Sequence, residues 1–353
     1  MVSFVYTLVS TGEDNYLEQV YASMFSLKYH MPDAHIVLII DEATKGTLTG
    51  TREKEIQYAD QVIVIPLDAG QYTAKQRSRI LKSSVRQHLR GDFLYIDCDT
   101  IIAKPLDSIE DIPYEIAACM DTHSYFIDNP YRQLCITHGH LLGWPVENEE
   151  VYYNSGVIYV KDCPLCYDFY EKWNRNLIEG FKKEVNMDQP SFAKTNYEMG
   201  HPVKTLDDVW NCELKHGIRY LKDARIIHYL TTNASPRTGK QLFRLNDVDL
   251  FMEMKETGKI PDEIRTICQD PFKGIAPLTH CFSGDDVYLF QLPFFKNLYK
   301  EEASFKTLLN EDKETKFYQT GLYRYFAYHY PNALTAFLQK MLNWVKALKR
   351  VIR

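Results

Sequence analysis

The sequence predicts an α/β fold, a mainly parallel central sheet flanked by helices, followed by a mostly helical C-terminal extension. Two features carry that prediction. Over the first hundred residues, apolar and β-branched runs of strand length alternate with stretches of helical apolar spacing, the order of a parallel sheet with crossover helices. From about residue 240 the chain turns to helix and loop, with charge clusters such as NEDKETK. The expected division is therefore a sheet domain over residues 1–239 and a helical extension over 240–353 that ends in a basic amphipathic helix.

Taken in order, FVYTLV (4–9) reads as a buried strand and NYLEQVYASMFSLKYH (15–30) as a helix. HIVLII (35–40) is a second strand, followed by EATKGTLTGTREKEIQYA with a helical second half. QVIVIPL (61–67) is the third strand, AKQRSRILKSSVRQHL (74–89) a helix and FLYIDCD (93–99) the fourth strand. YEIAACM (114–120) and YYNSGVIYV (152–160) read as strands separated by a long irregular segment. PLCYDFYEKWNRNLIEGF (164–181) is a helix, NMDQPSFAKTN (186–196) opens another, and RIIHYL (225–230) is a short strand. There is no internal repeat and no low-complexity linker.

Composition narrows the class. The 353 residues are 45% hydrophobic and 25% charged, ordinary for a globular protein with a sizeable core. A net charge of -6 argues against a nucleic-acid partner, which needs a concentrated basic surface. The 25 tyrosines and 18 phenylalanines suit stacking on sugars or bases, and equally suit an aromatic core. MVSFVYTLVSTGEDNY lacks the basic and apolar regions of a signal peptide, and no stretch approaches the roughly 20 apolar residues of a membrane span. Eight scattered cysteines fit a reducing compartment, so a cytoplasmic location is expected. Cys163 and Cys166 form a lone CxxC, and Asp162 before them is expected to cap a helix.

The chemistry concentrates at FLYIDCDTII (93–102). Carboxylates beside a buried run need a partner or a strand end. Ligands of parallel sheets bind beyond the carboxyl ends of the strands, which is where Asp97 and Asp99 fall, together with STGEDNY after the first strand. Two carboxylates near one point suit a hard divalent ion, Mn²⁺ or Mg²⁺, able to neutralise a diphosphate. The plainer alternative has one Asp capping the next turn and the other facing solvent. A phosphoaspartyl hydrolase would need Thr or Val four residues after the first Asp, where Ile101 stands.

FLYIDCDTIIAKPL, YYNSGVIYV, NMDQPSF and RIIHYL, in this order, resemble the family 8 glycosyltransferases of GT-A fold, over roughly residues 2–230. The resemblance implies a metal-dependent, retaining transfer of a hexose from a UDP-sugar to a hydroxyl of a glycan or lipid-linked glycan acceptor. It implies Asp97 and Asp99 as metal ligands with His228 as the third, a set that suits Mn²⁺. Tyr16 corresponds to the aromatic that stacks on uracil, its alternative being a helix residue packed inward. Val9, Ser10 and Thr11 lie where the family's backbone touches the nucleoside. Arg79, or Arg77 close by, corresponds to a basic residue reaching the donor. Asn154, Ser155, Asp121 and Asp188 would bind donor-sugar hydroxyls, with Gly156 letting the backbone pass close to the sugar and Gln189 near the anomeric carbon. Outside that resemblance, Asp188 before a helical segment with Pro190 in its first turn reads as an N-cap.

The sequence also departs from the family. After His228 it runs HYLTTNASPRTGK, with Thr231 where glycine is expected and Ala234 where the phosphate-gripping lysine is expected. Lys240 or Arg237 could substitute. A sugar nucleotidyltransferase is a poorer reading because STGEDNY has one glycine, too few for a phosphate loop. A non-catalytic nucleotide-sugar-binding protein is the other alternative. In ALTAFLQKMLNWVKALKRVIR (333–353), helical projection puts Leu334, Phe337, Leu338, Met341, Trp344, Val345, Leu348 and Ile352 on one half. Lys346, Lys349, Arg350 and Arg353 lie opposite, a pattern suited to the surface of an anionic membrane. THGHLL (137–142) is expected to be a loop over the acceptor cleft.

Overall fold

The structure is a computed structural model that describes residues 2–216, 220–230 and 243–275. These belong to the first of two compact units, Met1–Gly284, and the second, Asp285–Arg353, lies outside the described residues. So do the tail helix expected at 333–353 and residues 231–242, among them Arg237 and Lys240.

The first half follows the expected alternation. Strand β1 (Ser3–Leu8) leads to helix α1 (Tyr16–His30), β2 (Ile36–Asp41), two short helices α2 (Glu42–Thr47) and α3 (Thr51–Lys54), β3 (Gln61–Ile65), α4 (Ala74–His88) and β4 (Phe93–Ile96). The second half holds β5 (Thr100–Ile102), β6 (Ile116–Met120), α5 (Arg132–Leu142), β7 (Tyr153–Val160), α6 (Pro164–Lys182), α7 (Asp188–Glu198), β8 (Val203–Thr205), β9 (Cys212–Glu213) and β10 (Ile226–His228). Helices α8 (Val248–Thr257) and α9 (Asp262–Gln269) follow.

Seven strands form the main sheet in the order β3-β2-β1-β4-β7-β6-β8. The first four are parallel, and β7 runs antiparallel to both β4 and β6. The period-two alternation of these strands feeds two separate cores. Phe4, Tyr6, Ile36, Leu38, Ile40 and Leu94 face α1 through Leu17, Val20, Met24 and Leu27. Val5, Val37, Ile39, Phe93 and Tyr95 face the other way, onto Leu81 and Val85 of α4 and onto Phe169, Tyr170 and Trp173 of α6. Burial on both faces explains why these strands read as continuous apolar runs.

Three expectations change. The fourth strand ends at Ile96, and residues 97–99 form a turn closed by the Thr100 hydroxyl on the Asp97 carbonyl (2.9 Å). The chain then leaves the main sheet, and β5 joins a second sheet in the order β5-β10-β9. A continuous strand would have carried two carboxylates into the core, so the turn is where the sequence can place them. The segment expected to be irregular contains α5, and THGHLL forms its last turns rather than a loop. Asp162 does not cap α6: Cys163 occupies that position, while the Asp162 carboxylate accepts from the Gly91 amide and the Tyr167 hydroxyl. Helices α8 and α9 pack Leu250, Phe251, Met254 and Ile264 against Tyr21 and Phe25 of α1 and against the small sheet.

Candidate functional site

Strand pairing closes the gap of 129 residues between Asp99 and His228. Antiparallel pairing of β10 with β5 sets His228 opposite Thr100, and the Tyr229 amide donates to the Asp99 carbonyl (3.1 Å). On the other flank the Asp97 amide donates to the Gly156 carbonyl (2.8 Å), extending the β4–β7 ladder by one residue. Ligand atoms of Asp97, Asp99 and His228 lie within 4.8 Å of one another, with His228 Nε2 3.1 Å from Asp99 Oδ1. Two carboxylates and an imidazole nitrogen converging on one point is a donor set that fits Mn²⁺. Among the described residues no other group of three such side chains converges in this way.

A lysine that the sequence reading passed over joins the two halves of the site. Lys82 on α4 is 7% exposed and donates to both Asp97 oxygens (3.0 and 3.1 Å) and to Asp188 Oδ2 (2.8 Å). Burial alone would lower its pKa, but the Asp188 and Asp97 charges outweigh burial and raise it, so the ammonium is held charged. Asp188 also accepts from the Ser155 hydroxyl (2.9 Å) and lies 3.6 Å from Arg79 Nε. Burial would raise its carboxyl, yet Lys82, Arg79 and Ser155 hold it well below the usual carboxylate range. Asp97 is pushed up by burial, with Lys82 and His228 opposing and Asp99 and Asp188 adding to the rise.

Arg79 and Lys82 are three residues apart and share one face of α4, whereas Arg77 points elsewhere. Arg77 is buried against Asp41 (Nε to Oδ2, 2.6 Å) and donates to the Tyr72 carbonyl, so it braces the end of β2. Asp188 is the first residue of α7, not its cap. Met187 holds the capping position, and the Asp188 carboxylate is turned to Lys82 and Ser155.

Asp121 sits at the end of β6 in a buried polar cluster. It accepts from Asn129 Nδ2 (2.8 Å) and Asn154 Nδ2 (3.3 Å). Burial raises its carboxyl, while hydrogen bonds from Asn129, Gln189 and Asn154 pull it back, which places the Gln189 amide beside it. The next two residues, Thr122 (φ 59) and His123 (φ 55), are in the left-handed region that non-glycine residues adopt only at a cost. Glu213 holds them there: its carboxylate accepts from the Thr122 amide (3.2 Å) and its own amide donates to His123 Nε2 (2.9 Å).

Gly156 makes room for the imidazole: a Cβ on it would meet His228 Cε1 at 2.4 Å. The loop after β1 is folded around Asp14, which accepts from the Ser10 hydroxyl (2.7 Å) and the Thr11 amide (2.7 Å). The Ser10 amide donates to Thr44 (2.9 Å). The loop therefore has its carbonyls and the exposed Thr11 to offer a ligand rather than the Ser10 and Thr11 amides, and Val9 before them is buried. Tyr16 is 38% exposed; burial raises its hydroxyl, with the Arg79 charge opposing and the Asp14 and Asp99 charges adding, so the ring is only partly packed inward.

No known family model and no curated protein sequence matches the chain. It is similar to solved structures of glycosyltransferases. WbbM, a bifunctional glycosyltransferase, matches at 17% identity and a TM-score of 0.48 over 76% of this chain and 51% of that one, so the chain spans about half of WbbM. The galactosyltransferase LgtC, solved with donor and acceptor sugar analogs, matches at 15% identity and 0.47 over 75% of this chain and 99% of its own. Mouse xyloside xylosyltransferase 1 matches at 15% and 0.43, over 67% and 99%. At these values the functional reading rests on the site. Among the described residues no helix is long and apolar enough to cross a membrane.

Proposed function

We propose that this chain is a metal-dependent retaining glycosyltransferase that moves a hexose from a UDP-sugar to a hydroxyl of a glycan or lipid-linked glycan. The observation that carries the reading is the meeting of Asp97, Asp99 and His228, from two separate sheets, beside the charged Asp188–Lys82–Arg79 row. A divalent ion held by those three residues would supply Lewis-acid neutralisation of the departing diphosphate.

The chain's own groups account for the rest. Tyr16 offers a half-exposed ring to the base, and the Val9–Thr11 loop offers backbone carbonyls to the nucleoside. Asp188, kept ionised by Lys82, accepts from sugar hydroxyls, and Asp121, Asn154 and Ser155 complete a polar wall held by hydrogen bonds within the protein. Such prearranged dipoles lower a barrier without reorganising during the reaction. Among the described residues, Arg79 and Lys82 are the cations that adjoin Asp188 and Asp97 and would face the donor. Gln189 lies beside Asp121 and is too weak a nucleophile for a lasting covalent intermediate. Retention then proceeds through a short-lived ion pair, with the acceptor attacking the face the leaving group departs from.

UDP release from a panel of UDP-sugars, with and without Mn²⁺, tests the proposal. Release that depends on Mn²⁺ and one donor supports it. Full activity in the Asp97→Asn/Asp99→Asn double variant, or an inverted anomeric product in single turnover, would defeat it. Peripheral attachment to the cytoplasmic membrane face through 333–353 is part of the same proposal. Equal liposome co-sedimentation of the intact chain and one ending at Pro331 would refute that part.

A further inference from the structure

We infer that Asn211, through a hydrogen-bond chain anchored on the Gly156 amide, fixes the proton of His228 on Nδ1 and turns the Nε2 lone pair toward Asp97 and Asp99. The inference rests on reading those three residues as a metal site, and it adds a positioning residue to them.

The chain of hydrogen bonds has one direction only. The Gly156 backbone N–H can only donate, and it donates to Asn154 Oδ1 (2.8 Å). That fixes the orientation of the Asn154 amide, whose Nδ2 then donates to Asp121 Oδ1 (3.3 Å). The second lone pair of Asn154 Oδ1 accepts from Asn211 Nδ2 (3.0 Å). With its nitrogen so engaged, Asn211 presents Oδ1, an acceptor, to His228 Nδ1 at 3.0 Å. His228 Nδ1 must therefore carry a proton, which leaves Nε2, 3.1 Å from Asp99 Oδ1, as the nitrogen that faces the carboxylates. Asn211 is wholly buried, Asn154 is 6% exposed and His228 3%, so water does not offer a competing partner. The glycine contributes twice, because the ring lies against it where a Cβ would be.

The arrangement also changes what Asn154 can do. Both lone pairs of its oxygen are used within the protein, and one Nδ2 hydrogen goes to Asp121. A single N–H remains for a sugar hydroxyl. The same amide thus couples the sugar wall at Asp121 to the orientation of His228. Orienting partners of this kind typically change metal affinity by about 10–100-fold when removed.

Long-range ¹H–¹⁵N correlation of the metal-free, histidine-labelled protein at pH 8 reads the tautomer directly, with His228 assigned by its disappearance in His228→Gln. The expected spectrum shows protonated Nδ1, the form free histidine disfavours. Asn211→Ala should lose that preference and weaken Mn²⁺ binding, measured by calorimetry, by about 10–100-fold. Asn211→Asp, which still presents an oxygen to Nδ1 while losing the donor to Asn154 Oδ1, should keep Nδ1 protonated. An unprotonated Nδ1 in the wild-type protein, or an unchanged Nδ1 in Asn211→Ala, overturns the inference. If Asn211→Ala does not fold, the wild-type and Asn211→Asp spectra still decide. A wild-type protein with the expected tautomer and no Mn²⁺ binding would defeat the metal reading while leaving the inferred hydrogen-bond chain standing.

Discussion

Replacing Lys82 by methionine keeps the apolar stem and removes the charge that two carboxylates share. Removing one member of a buried ion pair typically costs about 3–5 kcal/mol, because the remaining charge is left uncompensated. Here the loss is partly cushioned. Asp188 keeps the Ser155 hydroxyl at 2.9 Å and Arg79 at 3.6 Å, and Asp97 keeps the Tyr95 hydroxyl at 2.6 Å. Both carboxylates are also partly open, with side chains 14% and 26% exposed. A cost of about 2–4 kcal/mol follows. Urea unfolding at pH 7 measures it. The same substitution in an Asp188→Asn background should cost less, with a coupling of about 1–3 kcal/mol. The pH dependence is fixed in sign. The raised Lys82 pKa means its contribution is whole below the unfolded lysine value near 10.4 and fades only as pH rises through the higher folded value. The depressed Asp188 pKa means its contribution is present above the unfolded value near 3.9 and is lost as pH falls through the lower folded one. The coupling should therefore be flat from about pH 5 to 9. A cost below about 1 kcal/mol, or a coupling that vanishes, would refute the bridging role.

Other outcomes follow from the same geometry. Gly156→Ala should displace the His228 ring, destabilise the fold by about 1–3 kcal/mol and weaken Mn²⁺ binding in calorimetry, since its new carbon would sit 2.4 Å from the ring. Asp97→Asn and Asp99→Asn should each lower Mn²⁺-dependent UDP release by about 100-fold or more, measured by coupled assay. Glu55, wholly buried beside Glu18 and Arg52, is pushed up by burial and the Glu18 charge to about 8. It keeps in the fold a proton that the unfolded chain releases above about pH 4.3, so stability should fall between there and pH 8, by at most about 1.4 kcal/mol per unit. Glu55→Gln should flatten that slope in pH-dependent thermal unfolding. Arg77→Met should destabilise the fold, because Arg77 braces Asp41, yet leave the affinity of folded protein for UDP within about threefold by calorimetry.

Local chemistry made much of this protein legible from residue order. Apolar runs and helical spacing located β1 to β4, α1 and α4 to within a residue or two, apart from the end of β4. The two carboxylates after FLYI announced a strand end, because a strand buried on both faces cannot carry them further. Three kinds of feature were not legible. A strand of two residues such as β9 has no readable period, so nothing in WNCE marked Asn211 as the neighbour of His228. The α5 helix was hidden because THGHLL and its glycine look like a turn, while its packing comes from Cys135, Ile136 and Leu142 against Val146 and Tyr152. Lys82 was passed over for Arg79 and Arg77, although the three-residue spacing from Arg79 placed both on one face.

The sequence by itself determined the alternating strands and helices of the first hundred residues, the strand end that exposes Asp97 and Asp99, and the polar residues at the mouths of β1, β6 and β7. Their partners were decided only in three dimensions. Which histidine meets which aspartate depends on β10 pairing antiparallel with β5, and which lysine neutralises them depends on how α4 lies across the sheet. Periodicity and turn chemistry act between near neighbours, whereas a shared proton or a convergent donor set needs atoms brought within a few ångströms from opposite ends of the chain.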